Sequence, residues 1–170
     1  MNQKIQNLLN EPPADTASIK LCLASSSENL TLIRRLITAS IRHANFSKED
    51  IEGIKLSAME ACTNVIKHAH KYDINKKFYL EIYGCHNAFI MKIIYNDPEF
   101  KPENIPIRNL NEIREGGYGV FLMRKLMDYI NYETNTNTGN VCLQMVKLTS
   151  TNNNDETAGG SRENRMSDRQ

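Results

Sequence analysis

The stretch Leu56-Ser57-Ala58-Met59-Glu60-Ala61-Cys62-Thr63-Asn64-Val65-Ile66-Lys67-His68-Ala69-His70 decides how the rest of the chain is read. Its small and apolar residues follow helical spacing, so one side packs inward. Glu60, Asn64 and His68 recur every fourth residue along one edge of that helix. A polar trio of this kind is ordinarily a solvated stripe. A second feature further on gives it another meaning: the glycine-rich run Glu115-Gly116-Gly117-Tyr118-Gly119-Val120-Phe121-Leu122. Together the two suggest a nucleotide site.

Working outward, Ser47 with Asp50 forms a variant capping box at the start of this helix, and Gly53 weakens the helix without breaking it. Upstream, Ile19, Leu21 and Leu23 alternate as in a half-buried strand. Ser25, Ser26 and Ser27 then offer N-cap oxygens to a first long helix running from Leu30 to Ile41. Downstream, the β-formers of residues 78–83 and 88–95 flank a turn and predict a hairpin. Pro98, Pro102 and Pro106 exclude regular structure from a long loop that ends at the glycine run. Loops of this length inside a domain usually carry function. Residues 120–127 predict a third long helix, and residues 129–133 with 141–148 a closing hairpin.

The order strand, helix, helix, two strands, loop, helix, two strands predicts an α+β domain of two layers, with helices on one face of a mixed, mostly antiparallel sheet. The sheet's other face is then open to a partner. Residues 1–17, with Pro12 and Pro13, read as a flexible leader, 18–148 as the domain and 149–170 as a disordered tail poor in apolar side chains.

A chain of 170 residues buries about 70% of its unfolded surface and requires no metal or disulfide staple. Its formal net charge of +1 marks neither nucleic acid nor a membrane as a direct partner. Cys22, Cys62, Cys85 and Cys142 lack CxxC spacing and read as reduced core residues, and no apolar run is long enough to span a bilayer. The expected compartment is the cytoplasm. The histidines lack metal-site spacing, and His68 is read as a dipole-favoured residue near a helix C-terminus.

The chemistry of the two motifs fits a magnesium nucleotide, while a glycine-rich turn of this kind can also simply start a helix. Mg²⁺ takes one or two protein oxygens besides water and phosphate oxygens, and Asn64 can offer its amide oxygen. Glu60, one turn earlier, is in position to orient or deprotonate a nucleophile. Gly116, Gly117 and Gly119 before a helix let backbone N–H groups approach phosphate, and Arg114 and Lys125 can neutralise its charge. Neither the P-loop pattern nor the Rossmann turn is present.

Glu60-x-x-x-Asn64-x-x-x-His68-Ala69 resembles the N-box of the GHKL ATPases, and Gly117-Tyr118-Gly119-Val120-Phe121-Leu122 resembles their second glycine box. With Leu126-Met127-Asp128, the chain is most similar to the small anti-sigma factor serine/threonine kinases over about residues 18 to 148. The resemblance implies a Bergerat-type (GHKL ATPase) α/β sandwich, ATP and Mg²⁺ as cofactors, Asn64 as metal ligand and Glu60 as catalytic base. Gly116, Gly117, Gly119 and Arg114 would lie at the nucleotide, and residues 98–116 would form an ATP lid. It also implies a sigma factor and a STAS-type anti-anti-sigma protein as partners, and a homodimer. One departure stands out. Where the family has Asp-x-Gly, with the Asp receiving the adenine amino group, this chain has Asp97-Pro98-Glu99. Asp97 keeps the adenine role, but the glycine is gone and Pro98 stiffens the turn. Two functions follow: a kinase that switches partners, or a non-catalytic interaction module of the same fold.

Overall fold

The computed structural model describes residues 2–14, 16–105 and 118–150. Residues 106–117 and 151–170 lie outside it, and with them Arg114, Gly116, Gly117, most of the expected lid and nearly all of the expected tail. Helix α1 (Gln3–Asn10) leads into β1 (Ala17–Ala24), α2 (Asn29–Ser40) and α3 (Lys48–Asn64), which continues into a π-helical turn, Val65–Ala69. The hairpin β2 (Lys77–Cys85) and β3 (Ala88–Asn96) follows, then a 3₁₀ turn at Pro102–Asn104, α4 (Tyr118–Leu126) and the hairpin β4 (Tyr129–Asn135) and β5 (Asn140–Leu148).

The strands form one sheet in the order β1-β2-β3-β5-β4. Every pairing is antiparallel, where the sequence allowed for a mixed sheet. The final hairpin enters through β5, whose Leu143 stands opposite Ile93 of β3, leaving β4 at the edge. Strand alternation divides the side chains between two faces. One face presents Phe78, Leu80, Ile82, Phe89, Met91, Ile93, Leu143 and Met145 to Ile33 and Ile37 of α2 and to Ile54, Ala58 and Ala61 of α3. Full burial of each large aliphatic chain contributes roughly 1.5–3 kcal/mol, and this face holds the main core.

The opposite face is not bare. Residues 3–10, expected to belong to a loose leader, form an amphipathic helix that buries Ile5, Leu8 and Leu9 against Tyr83, Cys85, Ala88, Ile90 and Val146. Asn2 caps its start through the Lys4 N–H at 3.0 Å, and Lys92 of β3 donates to the Leu9 carbonyl at 2.8 Å. A helix of 8 residues is too short to persist alone. The sheet supplies what its length does not, and Pro12 and Pro13 fall after it ends.

Ser47 caps α3 by accepting the Asp50 N–H at 3.0 Å, while the Asp50 carboxylate takes the Ser47 hydroxyl at 2.8 Å. The Asp50 carboxyl is partly buried, which opposes ionisation, yet Ser47 and Lys147 hold it below its ordinary range. Cys62 and Cys85 are buried as expected of core residues, and Cys142 is half-buried. Cys22 is exposed, because β1 is an edge strand and residue 22 points away from the helix layer. No helix among the described residues is long and apolar enough to cross a membrane.

Candidate functional site

Where α3 ends, the helix widens. The π turn carries the bond from the His70 N–H to the Val65 carbonyl at 2.9 Å, and π turns of this kind concentrate at functional sites. Residues four apart on a regular α-helix drift round its axis by about 40° per step. The wider turn undoes that drift. Ala61, Val65 and Ala69 therefore line a single cavity, as do Asn64 and His68. The segment then stops abruptly: Lys71 and Tyr72 take positive φ of 52° and 62°, and the Tyr72 N–H closes on the Ile66 carbonyl at 2.8 Å. Left-handed conformations at residues with a side chain cost about 1–2 kcal/mol each. The strain lies directly beside the cavity.

The cavity has a volume of about 440 Å³, within the range of small-molecule sites. Tyr95, Tyr132 and Leu143 from the sheet form its floor, and Gly119 and Val120 of α4 close another side. Facing the helix is a turn that contributes Asp97, Glu99 and Phe100. Asp97 shapes this turn itself, its carboxylate Oδ1 accepting the Glu99 N–H at 3.3 Å and its carbonyl the Phe100 N–H at 3.1 Å. The turn leans on the β4–β5 hairpin. The Asp97 N–H donates to the Gly139 carbonyl at 2.9 Å, and the Asn96 amide reaches the Thr138 carbonyl at 2.9 Å. Gly139 has φ of +69°, and a Cβ there would come within 2.8 Å of Pro98 Cγ. Glycine satisfies both demands.

Aromatic rings run along the cavity in contact. Phe100 stacks on Tyr132 with centroids 5.2 Å apart, and Tyr95 stands edge-on to Phe100 at 6.4 Å and to His70 at 6.1 Å. Burial raises the phenols of Tyr95 and Tyr132 above their ordinary range, so both stay neutral. His70 is 2% exposed, with Nδ1 at 3.0 Å from the Ser25 hydroxyl and a hydrogen bond to the backbone of Asn96. Ser25, offered by the sequence as a helix cap, is spent on this contact instead. Burial, and then the charge of Lys76, lower the His70 pKa, while the Asp97 and Asp73 carboxylates oppose them. Residue spacing tests His70 only as a metal ligand, so its buried bonds to Ser25 and Asn96 are not foreseen in the sequence. Its position one residue past an apolar helix was the available sign. A second hollow beside the cavity shares His68, Asp97 and Glu99 and adds Lys71 and Lys76.

Of the residues singled out from the sequence, Asn64, Asp97 and Gly119 thus meet in one cavity. Glu60 is half-buried on α3, with its carboxylate against Gly119; it is not among the lining residues. Arg114, Gly116 and Gly117 lie outside the described residues. A carboxylate acceptor, a carboxamide and flat aromatic walls can together hold a planar base and a hydrated cation.

The sequence matches the histidine kinase-like ATPase domain over residues 23–147. The serine-protein kinase RsbW of Staphylococcus epidermidis is 31% identical over 153 residues, covering 81% of this chain and 92% of that protein. RsbW of Staphylococcus aureus strain JH9 is 32% identical over 127 residues, covering 66% and 76%. Among solved structures, the RsbU and RsbW domains of Rv1364c from Mycobacterium tuberculosis superpose with a TM-score of 0.54 at 11% identity. That match spans 78% of this chain and 32% of the other, and supports the fold. The chain therefore belongs to the anti-sigma factor serine/threonine kinase family, within the histidine kinase-like (GHKL) ATPases.

Proposed function

We propose that the protein binds ATP with Mg²⁺, sequesters a sigma factor, and phosphorylates a serine or threonine of a STAS-type anti-anti-sigma protein that competes for it. The observation that carries this reading is the meeting of Asn64 and Asp97 in one cavity, with Glu60 one helical turn before Asn64. Mg-ATP, when bound, supplies the transferable phosphoryl group. Asp97 would receive the exocyclic amine of the base, and the Phe100 and Tyr132 rings would offer it apolar surface in the same cavity. Asn64 gives its amide oxygen to the metal. Glu60 accepts the proton of the attacking hydroxyl. Gly119 lines the same cavity, and Gly116, Gly117 and Arg114 are candidates for the phosphates from the sequence alone.

A specific observation favours a second reading, a non-catalytic interaction module. Glu99 and Phe100 line the cavity where the family pattern has a small residue next to the base. One experiment separates the two. Purified protein is titrated with a fluorescent ATP analogue and Mg²⁺, then incubated with γ-labelled ATP and a STAS-type protein. Saturable binding followed by label on a serine or threonine supports the kinase. Binding of the STAS-type protein with no label on it supports the module.

A further inference from the structure

We infer that residue 119 is glycine to make room for Glu60, so that Gly119 acts as a positioning residue for the proposed base. The inference rests on the kinase reading of Glu60. Glycine is unusual at this point, since Gly119 is the second residue of α4 and a helix favours alanine there. Its backbone does not require it either. Among the described glycines only Gly139 has positive φ, so Gly119 adopts a conformation open to any residue. The space where its Cβ would stand is what differs. A Cβ built at 119 overlaps Oε2 of Glu60 and lies 3.3 Å from Glu60 Cδ and 3.8 Å from Glu60 Cβ. Among the described residues, its three nearest atoms belong to that one side chain.

The surroundings make this seat definite. Helices α3 and α4 pack in opposite directions, Gly53 of α3 facing Leu126 at one end and Glu60 facing Gly119 at the other. The carboxylate thus lies against the first turn of α4, where the helix dipole favours negative charge. A methyl group at 119 would collide with the far end of a flexible side chain, which can rotate away. The fold survives and the carboxylate moves. A displacement of about 1 Å in a reacting group costs on the order of 100-fold in rate.

The test is a double-mutant cycle on the full chain with Gly119→Ala, Glu60→Ala and their combination, reading phosphate transfer, affinity for a fluorescent ATP analogue, and Tm. Gly119→Ala keeps the backbone N–H of this lining residue, and it is expected to slow transfer about 100-fold with a much smaller loss in affinity for the analogue. Its effect on Tm is expected to be more favourable in the Glu60→Ala background, where alanine's helix preference acts without the collision. Transfer by Gly119→Ala at the wild-type rate overturns the inference. So does an equal loss of analogue binding in both backgrounds, which would assign the glycine to phosphate contact. If the wild type transfers no phosphate at all, the kinase reading fails and the Tm readings still decide the seat: equal shifts in both backgrounds overturn it.

Discussion

The two facing walls of the cavity hold their side chains by different means. On the helix wall, Ala61, Asn64 and Val65 are fixed by α3 and the π turn, whose inner side is locked into the main core by Cys62 and Ile66. On the turn wall, Asp97, Glu99 and Phe100 are held by hydrogen bonds to a neighbouring hairpin and by ring contacts within the cavity. The wall built into the core keeps the family's pattern. The propped wall carries Glu99 where the resemblance read from the sequence implies a glycine. A turn supported from outside can change its residues without disturbing the core, so variation in nucleotide affinity is expected to arise there.

The difference can be broken experimentally. On the helix that carries the first wall, Glu60→Gln removes the proposed proton acceptor beside Gly119 and keeps its size, and transfer is expected to fall about 1,000-fold. Affinity for a fluorescent ATP analogue should remain unchanged, and single-turnover transfer with parallel titrations checks both. Equal transfer by variant and wild type would falsify the assignment of Glu60. On the turn wall, Gly139→Val places a branched side chain at φ of +69° and against Pro98. This should cost about 2 kcal/mol in urea unfolding and weaken the analogue about tenfold by shifting Asp97. An unshifted urea midpoint would show that the hairpin does not support the turn.

A smaller effect is expected from Glu99→Gly, which removes a carboxylate from the cavity and restores the family's glycine. Tightening of the analogue by about threefold, near 0.7 kcal/mol, is expected. Weaker binding would mean that Glu99 helps to hold the ligand. The smallest effect concerns His70. Its pKa in the folded protein lies below the ordinary 6.5, so the folded state resists protonation more than the unfolded chain does. The stability this contributes is complete above pH 6.5 and is lost as pH falls through the lower folded value. Thermal melts of the wild type should show this acid slope, and His70→Gln should flatten it. An identical slope in the two proteins would remove His70 as its source.

The parts of the fold that were legible in the sequence are those with long periodic patterns. The α3 apolar side, the Ser47 cap and both hairpins follow directly from residue order. Helix α1 was obscured because Pro12 and Pro13 dominate the reading of their neighbourhood, although Ile5, Leu8 and Leu9 already had helical spacing. Its stability comes from strands far along the chain, which no local pattern reports. The π turn escaped for another reason: apolar residues in an α-helix and in a π turn differ too little in spacing over five positions. At the site, Asn64 and Asp97 were recognisable by motif and do meet. The partnership of Gly119 with Glu60 and the link from His70 to Ser25 are contacts across the fold, and residue identity alone does not announce them.

The π turn also bears on how this chain can change over generations. One residue more than an α-helix needs is housed between Asn64 and His70, so the segment carries what amounts to a fixed insertion. Losing a single residue from Val65–Ala69 would not trim a loop. It would rewind the turn as α-helix and rotate His68 and Ala69 relative to Asn64, changing one lining of the cavity in a single genetic step. Gaps in this segment therefore carry more structural weight than gaps of the same length in the β2–β3 turn at His86 and Asn87.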